Sequence, residues 1–198
     1  NLVLTASTFH AFSGKRTGFD RAQLWRHALA SAMAGERAAK VLGLEMDDAF
    51  VCGLLHDIGK VVFDVLYPDE FERVVEQAQS GHRFIRDVEC EIFGVNHAEI
   101  GGVLADHWNL PPALAGAIRW HHTPREASEH ATEAHVTAVA DFAAHQAALG
   151  ESGNGCAAQA PQESFEALGI TDVHLKTLED ELCTADERIG EILGILVI

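Results

Sequence analysis

The chain has 198 residues, 47% of them hydrophobic and 22% charged, which is enough apolar material for one full core and argues against disorder. It carries 14 Lys and Arg against 30 Asp and Glu, a formal charge of −16, and a surface of that sign repels polyphosphate backbones while leaving a metal-held small anion open. No apolar run approaches a membrane span, no signal peptide is evident, and Cys52, Cys90, Cys156 and Cys183 lack C-x-x-C spacing, so a cytoplasmic protein with free thiols is expected.

Helical periodicity dominates from the start. Between Asp20 and Leu42, the residues Trp25, Ala28, Leu29, Ala32 and Met33 recur at spacings of three and four, with His27 at the border of the stripe and Gly43 as a stop. A second helix is expected from Asp47 or Asp48, either of which can accept hydrogen bonds from first-turn amides. It carries Phe50, Val51, Leu54 and Leu55 into His56-Asp57-Ile58-Gly59-Lys60, and helical spacing resumes at Val61, Val62, Val65 and Leu66. Pro68 suits the first position of the next helix and Gly81 its end.

Asn96 followed by Glu99 predicts a capping box that opens a helix running through Trp108. Pro111 and Pro112 set a turn before a short helix over Ala113 to His122, and another is predicted from about Glu129 to Ala148. Gly150 to Ser164 reads as a flexible linker or mobile loop. Beyond it, Phe165 to Ile198 predicts two short amphipathic helices, the first capped by Thr171. The fold class is therefore all-α.

The chemistry concentrates in a few polar residues on apolar helices. Adjacent helical residues point about 100° apart, so His56 and Asp57 can enter one cleft. An imidazole beside a carboxylate suits iron, manganese, zinc or magnesium. A carboxylate among Leu54, Leu55, Ile58, Val61 and Val62 needs a positive partner, and Lys60 or a metal would supply it. Asp141, inside Val139-Ala140-Asp141-Phe142, raises the same question. Each histidine alone has a plainer reading: His27 as a buried hydrogen-bonded side chain, His97 as a polar first-turn residue, His121-His122 as a helix end facing the negative dipole terminus. His10, His82, His107, His130, His135, His145 and His174 follow no pattern and read as surface or packing residues, and Trp25, Trp108 and Trp120 as core and site-wall aromatics.

Taken in order, His27, His56-Asp57 with Lys60, His97, His121-His122 and Asp141 resemble the HD superfamily of metal-dependent phosphohydrolases. The phrases Leu24-Trp25-Arg26-His27, Gly53 to Lys60, Asn96 to Gly101, Trp108-Asn109-Leu110-Pro111 and Trp120-His121-His122 resemble its HDOD (HD-related output domain) branch. The resemblance implies an HD-domain-like helical bundle over residues 1–148, a linker or loop over 149–164 and a C-terminal helical extension over 165–198. It implies one ion on His27, His56, Asp57 and Asp141, and a second on His97, His121 and His122 with Asp57 bridging. Asp57 and Lys60 would be the catalytic pair, Lys60 meeting substrate phosphate. One or two divalent ions are implied, iron or manganese first, with zinc, magnesium or nickel open.

Departures narrow the expectation. Where the branch that hydrolyses cyclic-di-GMP continues into Gly-Tyr-Pro, this chain has Thr123-Pro124-Arg125-Glu126, and where some of its members place a further Glu before the first His, it has Gln23, which points to two ions at most. The expected activity is hydrolysis of a phosphoester or nucleotide-like signal; a non-catalytic signalling output module, or di-iron oxygenase chemistry, are the alternatives. The implied partners are a small phosphorylated ligand or a signalling protein, with no nucleic-acid polymer and no membrane. A start at Asn1 fits a fragment, with a sensory or receiver domain expected ahead of it.

Overall fold

The computed structural model describes residues 19–196, all of whose regular elements are helical. In chain order these are α1 (Arg21–Val41), α2 (Ala49–Leu55), α3 (Ile58–Leu66), α4 (Pro68–Gly81), α5 (Ile85–Phe93), α6 (His97–His107), α7 (Pro112–Trp120), a 3-10 turn (Pro124–Glu126), α8 (Ala131–Gln146), α9 (Gln162–Leu168) and α10 (Asp172–Leu196). No helix among the described residues is long and apolar enough to cross a membrane.

The centre of the bundle is α1, which packs against α2, α8 and α10. Its start is set by Asp20, whose Oδ1 accepts from the amides of Ala22 and Gln23 at 2.9 and 3.2 Å. Small residues (Ala28, Ala30, Ala32, Ala34 and Ala38) are buried along it and let neighbours approach on several sides. A Cβ on Gly53 would lie 2.5 Å from the carbonyl of Ser31, so α2 meets α1 backbone to backbone. A second layer joins α3 to α6 and α6 to α7, and α7 packs back on α8. At the α3–α6 contact a Cβ on Gly59 would stand 1.9 Å from the carbonyl oxygen of His97.

Several local expectations are corrected. Asp48 precedes α2, yet its side chain makes no capping hydrogen bond. The apolar run from Phe50 to Leu66 is two helices, broken at His56-Asp57, because the turn there aims both side chains inward and lets Gly59 reach α6. Likewise α7 ends at Trp120, so the His121-His122 pair sits in the following turn. Thr171 stands before the second C-terminal helix rather than the first, its hydroxyl accepting from the His174 amide at 3.4 Å. That second helix is long, 25 residues, because Leu178, Leu182, Ala185 and Ile189 keep one face completely buried. Trp108 is 40% exposed and is not a core residue.

The segment between α8 and α9 has no long regular element and is tied to the body. The Glu151 amide donates to Gln23 O at 3.2 Å, the Gly155 amide to Arg83 O at 3.0 Å, and Asn154 Oδ1 accepts from the Ile85 amide at 3.0 Å.

Candidate metal centre

Five parts of the chain converge where the two layers meet. His27 comes from the middle of α1, His56 and Asp57 from the α2–α3 turn, His97 from the first residue of α6, His121 and His122 from the turn after α7, and Asp141 from α8. Of these, His27, His56, Asp57, His97 and His121 are buried, while the Asp141 side chain keeps 19% exposure. All seven positions expected from the sequence are brought into one cluster.

The cluster has two halves. In one, the ligating atoms of His27, His56 and Asp141 lie within 4.8 Å of one another; in the other, those of His97, His121 and His122 do. Asp57 stands between them. Its Oδ1 is 3.1 Å from His97 Nε2 and 4.0 Å from His121 Nε2, and its Oδ2 is 3.4 Å from His56 Nε2. Asp141 Oδ1 lies 2.9 Å from His27 Nε2 and 3.6 Å from His56 Nε2. A carboxylate with one oxygen toward each half has the disposition of a bridging group.

The outer hydrogen bonds decide which imidazole nitrogens face inward. His56 Nδ1 donates to Gly53 O at 2.7 Å and His121 Nδ1 to Ile118 O at 2.8 Å. His97 Nδ1 donates to Glu89 Oε2 at 2.6 Å, and that oxygen also accepts the His97 amide at 2.8 Å. Each contact fixes the tautomer that leaves Nε2 as the acceptor nitrogen facing the cluster, where His97 Nε2 lies 2.9 Å from His122 Nε2. Accordingly His56 Nε2 and His121 Nε2 are buried without a hydrogen-bond partner. Buried acceptors of that kind are rare unless something fills them, and an array of imidazoles with carboxylates fits a divalent transition ion.

Charge points the same way. Burial opposes ionisation of Asp57, but His56, Lys60 and His97 hold its carboxyl well below the usual range. Asp141 is also held low, against burial, by His145, His27 and His56. Two carboxylates face one lysine, leaving a negative charge to be balanced. Despite burial, the two carboxylates push His56 up to about 10. Burial and the cationic neighbours His56 and His97 push His121 down to about 3, and burial takes His27 down to about 4. The cluster therefore demands positive charge at its centre, from a proton on His56 or from a cation.

Lys60 is enclosed against Asp57 and does not open on the surface. Its Nζ lies 2.6 Å from Asp57 Oδ2, and the residue is only 2% exposed. It acts as the positive partner that the buried carboxylate required.

Two site residues escaped the sequence reading. Glu89 is wholly buried and orients His97; it occupies the apolar stripe of Ile85, Val88 and Ile92, and an acid in that register was the available signal. His145 lies one helical turn beyond Asp141, its Nε2 3.4 Å from Asp141 Oδ1 and its ring 4.4 Å from that of His27. The i, i+4 spacing from Asp141 was its signal. Elsewhere His135 is buried against Ser164, His82 and His107 are exposed, and His10 lies outside the described residues.

A cavity of about 510 Å³ opens beside the cluster. His121, His122, Asp141 and His145 form its floor, and Phe84, Arg86 and the segment before α9 form part of its wall; Asp57 and Lys60 do not line it.

Residues 1–124 match the family model described as the HDOD domain. A protein of Treponema pallidum (strain Nichols), described only as uncharacterized, is 35% identical over 115 residues, which is 57% of this chain and 22% of that protein. The chain thus spans about a fifth of that relative. Among solved structures, a Shewanella amazonensis SB2B protein provisionally named a phosphohydrolase has a TM-score of 0.76 at 25% identity, covering 98% of this chain and 71% of that one. An HDOD domain protein of unknown function from Geobacter sulfurreducens has a TM-score of 0.69 at 23% identity, covering 96% and 66%. A Marinobacter aquaeolei VT8 protein provisionally named for signal transduction has a TM-score of 0.75 at 21% identity, covering 94% and 41%; the last two likenesses bear on fold alone.

Proposed function

The chain belongs to the HDOD domain family, and from that premise we propose that it hydrolyses a phosphoester or nucleotide-like signal at a centre of two divalent metal ions. The observation that carries the reading is the Asp57 carboxylate set between two histidine groups, with the unpartnered Nε2 atoms of His56 and His121 on either side. His27, His56 and Asp141 would hold one ion, His97, His121 and His122 the other, with Asp57 shared. Ions bound there would lower the pKa of a water and neutralise charge developing on phosphate.

The protein's own groups do the rest. Gly53 O, Ile118 O and Glu89 hold the imidazoles in the ligating tautomer. Lys60 keeps Asp57 ionised. The cavity over His121 and His122 gives a small phosphorylated molecule access to the site while the surrounding apolar core limits water. Iron or manganese suits the mixed nitrogen and oxygen donors best. The small phosphorylated ligand, a cytoplasmic setting and a sensory or receiver domain elsewhere in the whole protein belong to the same proposal.

The test is turnover of a generic diester such as bis-p-nitrophenyl phosphate by protein reconstituted with manganese or iron, alongside elemental analysis. A metal-to-protein ratio near two is expected, with turnover falling at least about 100-fold in Asp57→Ala. Turnover that does not depend on Asp57 would defeat the reading.

One observation favours a second reading, a non-catalytic signalling module that relays a partner's state. Lys60 and a protonated His56 together can neutralise Asp57 and Asp141 with no ion present. In that reading a metal is structural or absent, no turnover depends on Asp57, and Asp57→Ala destabilises the protein or leaves signalling intact.

A further inference from the structure

With Lys60 enclosed against Asp57, the group that meets an anionic ligand must come from the cavity wall. Two arginines line it. Arg125 is committed elsewhere, its guanidinium 3.1 Å from Glu163 and 3.8 Å from Glu166, and its side chain is 67% exposed. Arg86 makes no hydrogen bond among the described residues. Its nearest carboxylate is Asp87 at 3.7 Å, and its guanidinium carbon lies 5.1 Å from the centre of the Phe84 ring.

Arg86 is also placed by the helix that supports the site. It lies three residues before Glu89 on α5, so the two share a side of the helix: Glu89 bonds His97, and Arg86 lines the cavity that His122 also lines. Among the described residues, the structural contacts of Arg86 are limited to the Phe84 ring and the 3.7 Å approach to Asp87. A cation in the first turn of a helix opposes the positive dipole end, so α5 itself gains nothing from a charge at Arg86. An arginine held there offers a planar fork to a phosphate oxygen pair.

We propose that Arg86 is the anion-recognition residue of this cavity, receiving the phosphate group of a small phosphorylated ligand whose reacting end lies over His121 and His122. This deepens the hydrolase reading by naming the residue that selects the ligand, and its test does not depend on turnover.

The experiment titrates inorganic phosphate, then pyrophosphate, into manganese-loaded protein by calorimetry, with metal content and thermal melting measured on each variant. Arg86→Ala should weaken binding about 10- to 100-fold, the range of a lost charge-assisted contact. Metal content should be unchanged, and the melting temperature equal or slightly raised. Arg86→Lys should fall between, keeping charge without the fork, and Arg125→Ala should stay within about twofold. If the wild-type protein takes up no metal, the hydrolase reading fails and the same titration on metal-free protein still decides the arginine. Wild-type binding absent at millimolar phosphate, or Arg86→Ala binding like wild type, would overturn the inference, as would an equal loss in Arg125→Ala.

Discussion

Replacing Gly59 by alanine should loosen the protein and its site together. The added methyl would sit 1.9 Å from His97 O and 2.8 Å from His97 C, where ordinary contact begins at 3.4 Å, so α3 and α6 must part by about 1.5 Å. Both partners are backbone, and no rotamer change relieves the clash. Overpacking of this kind costs about 1–3 kcal/mol, and this case belongs at the upper end. Against it stands the helix preference for alanine, roughly 1 kcal/mol at most. For a chain of this size each kcal/mol moves the melting temperature by roughly 2–4 °C, so a fall of about 4–8 °C is expected. The same displacement acts on the 3.1 Å approach of His97 Nε2 to Asp57 Oδ1, because Gly59 lies between Asp57 and Lys60. Metal content of the histidine half should drop with it. Calorimetric melting and elemental analysis of the two proteins check both points, and a variant melting at or above the parent would refute the backbone-contact argument.

Three further outcomes follow from the same geometry. Glu89→Gln keeps the shape but removes the charge that orients His97, and metal affinity measured by chelator competition should fall about 10- to 100-fold; an unchanged affinity would show that Glu89 does not act through His97. Lys60→Met strands the Asp57 charge and should destabilise metal-free protein by about 3–5 kcal/mol in urea melts, whereas Lys60→Met combined with Asp57→Asn should recover most of that loss. Burial, then the charges of Asp48 and Glu133, push the Cys52 thiol up to about 12. Its neutral form is favoured on folding, so that stability is complete below the ordinary thiol value and is lost as pH rises toward 12. Thiol titration of native protein at pH 8 should label exposed Cys90 and Cys183 and spare Cys52 until denaturant is added.

Much of the architecture was legible because helix punctuation is local chemistry. Asp20 caps α1, Pro68 opens α4, and Asn96 with Glu99 forms the capping box of α6, all within reach of their own neighbours. The seven clustered positions were legible through their order in the family likeness; composition and periodicity alone left each histidine with an ordinary explanation. What could not be read were effects of distant partners. The break at His56-Asp57 interrupts a continuous apolar pattern because α3 must meet α6 through Gly59, a contact 38 residues away in sequence. The length of α10 depends on the groove that receives Leu178, Leu182, Ala185 and Ile189. The register of Glu89 and the spacing of His145 mark them as inward-facing, but what they do depends on His97 and Asp141 being placed beside them.

The rings of His56 and His121 also serve the helices that precede them. Gly53 O and Ile118 O belong to the final turns of α2 and α7, where carbonyls have no amide ahead of them inside the helix. Each imidazole fills that vacancy with its Nδ1–H, so chain termination and ligand orientation are one and the same bond. Alanine at either position would fray a helix end while deleting a donor, and the two losses would be measured together. Asparagine, which can still donate an amide N–H to that carbonyl but lacks the imidazole nitrogen, separates them.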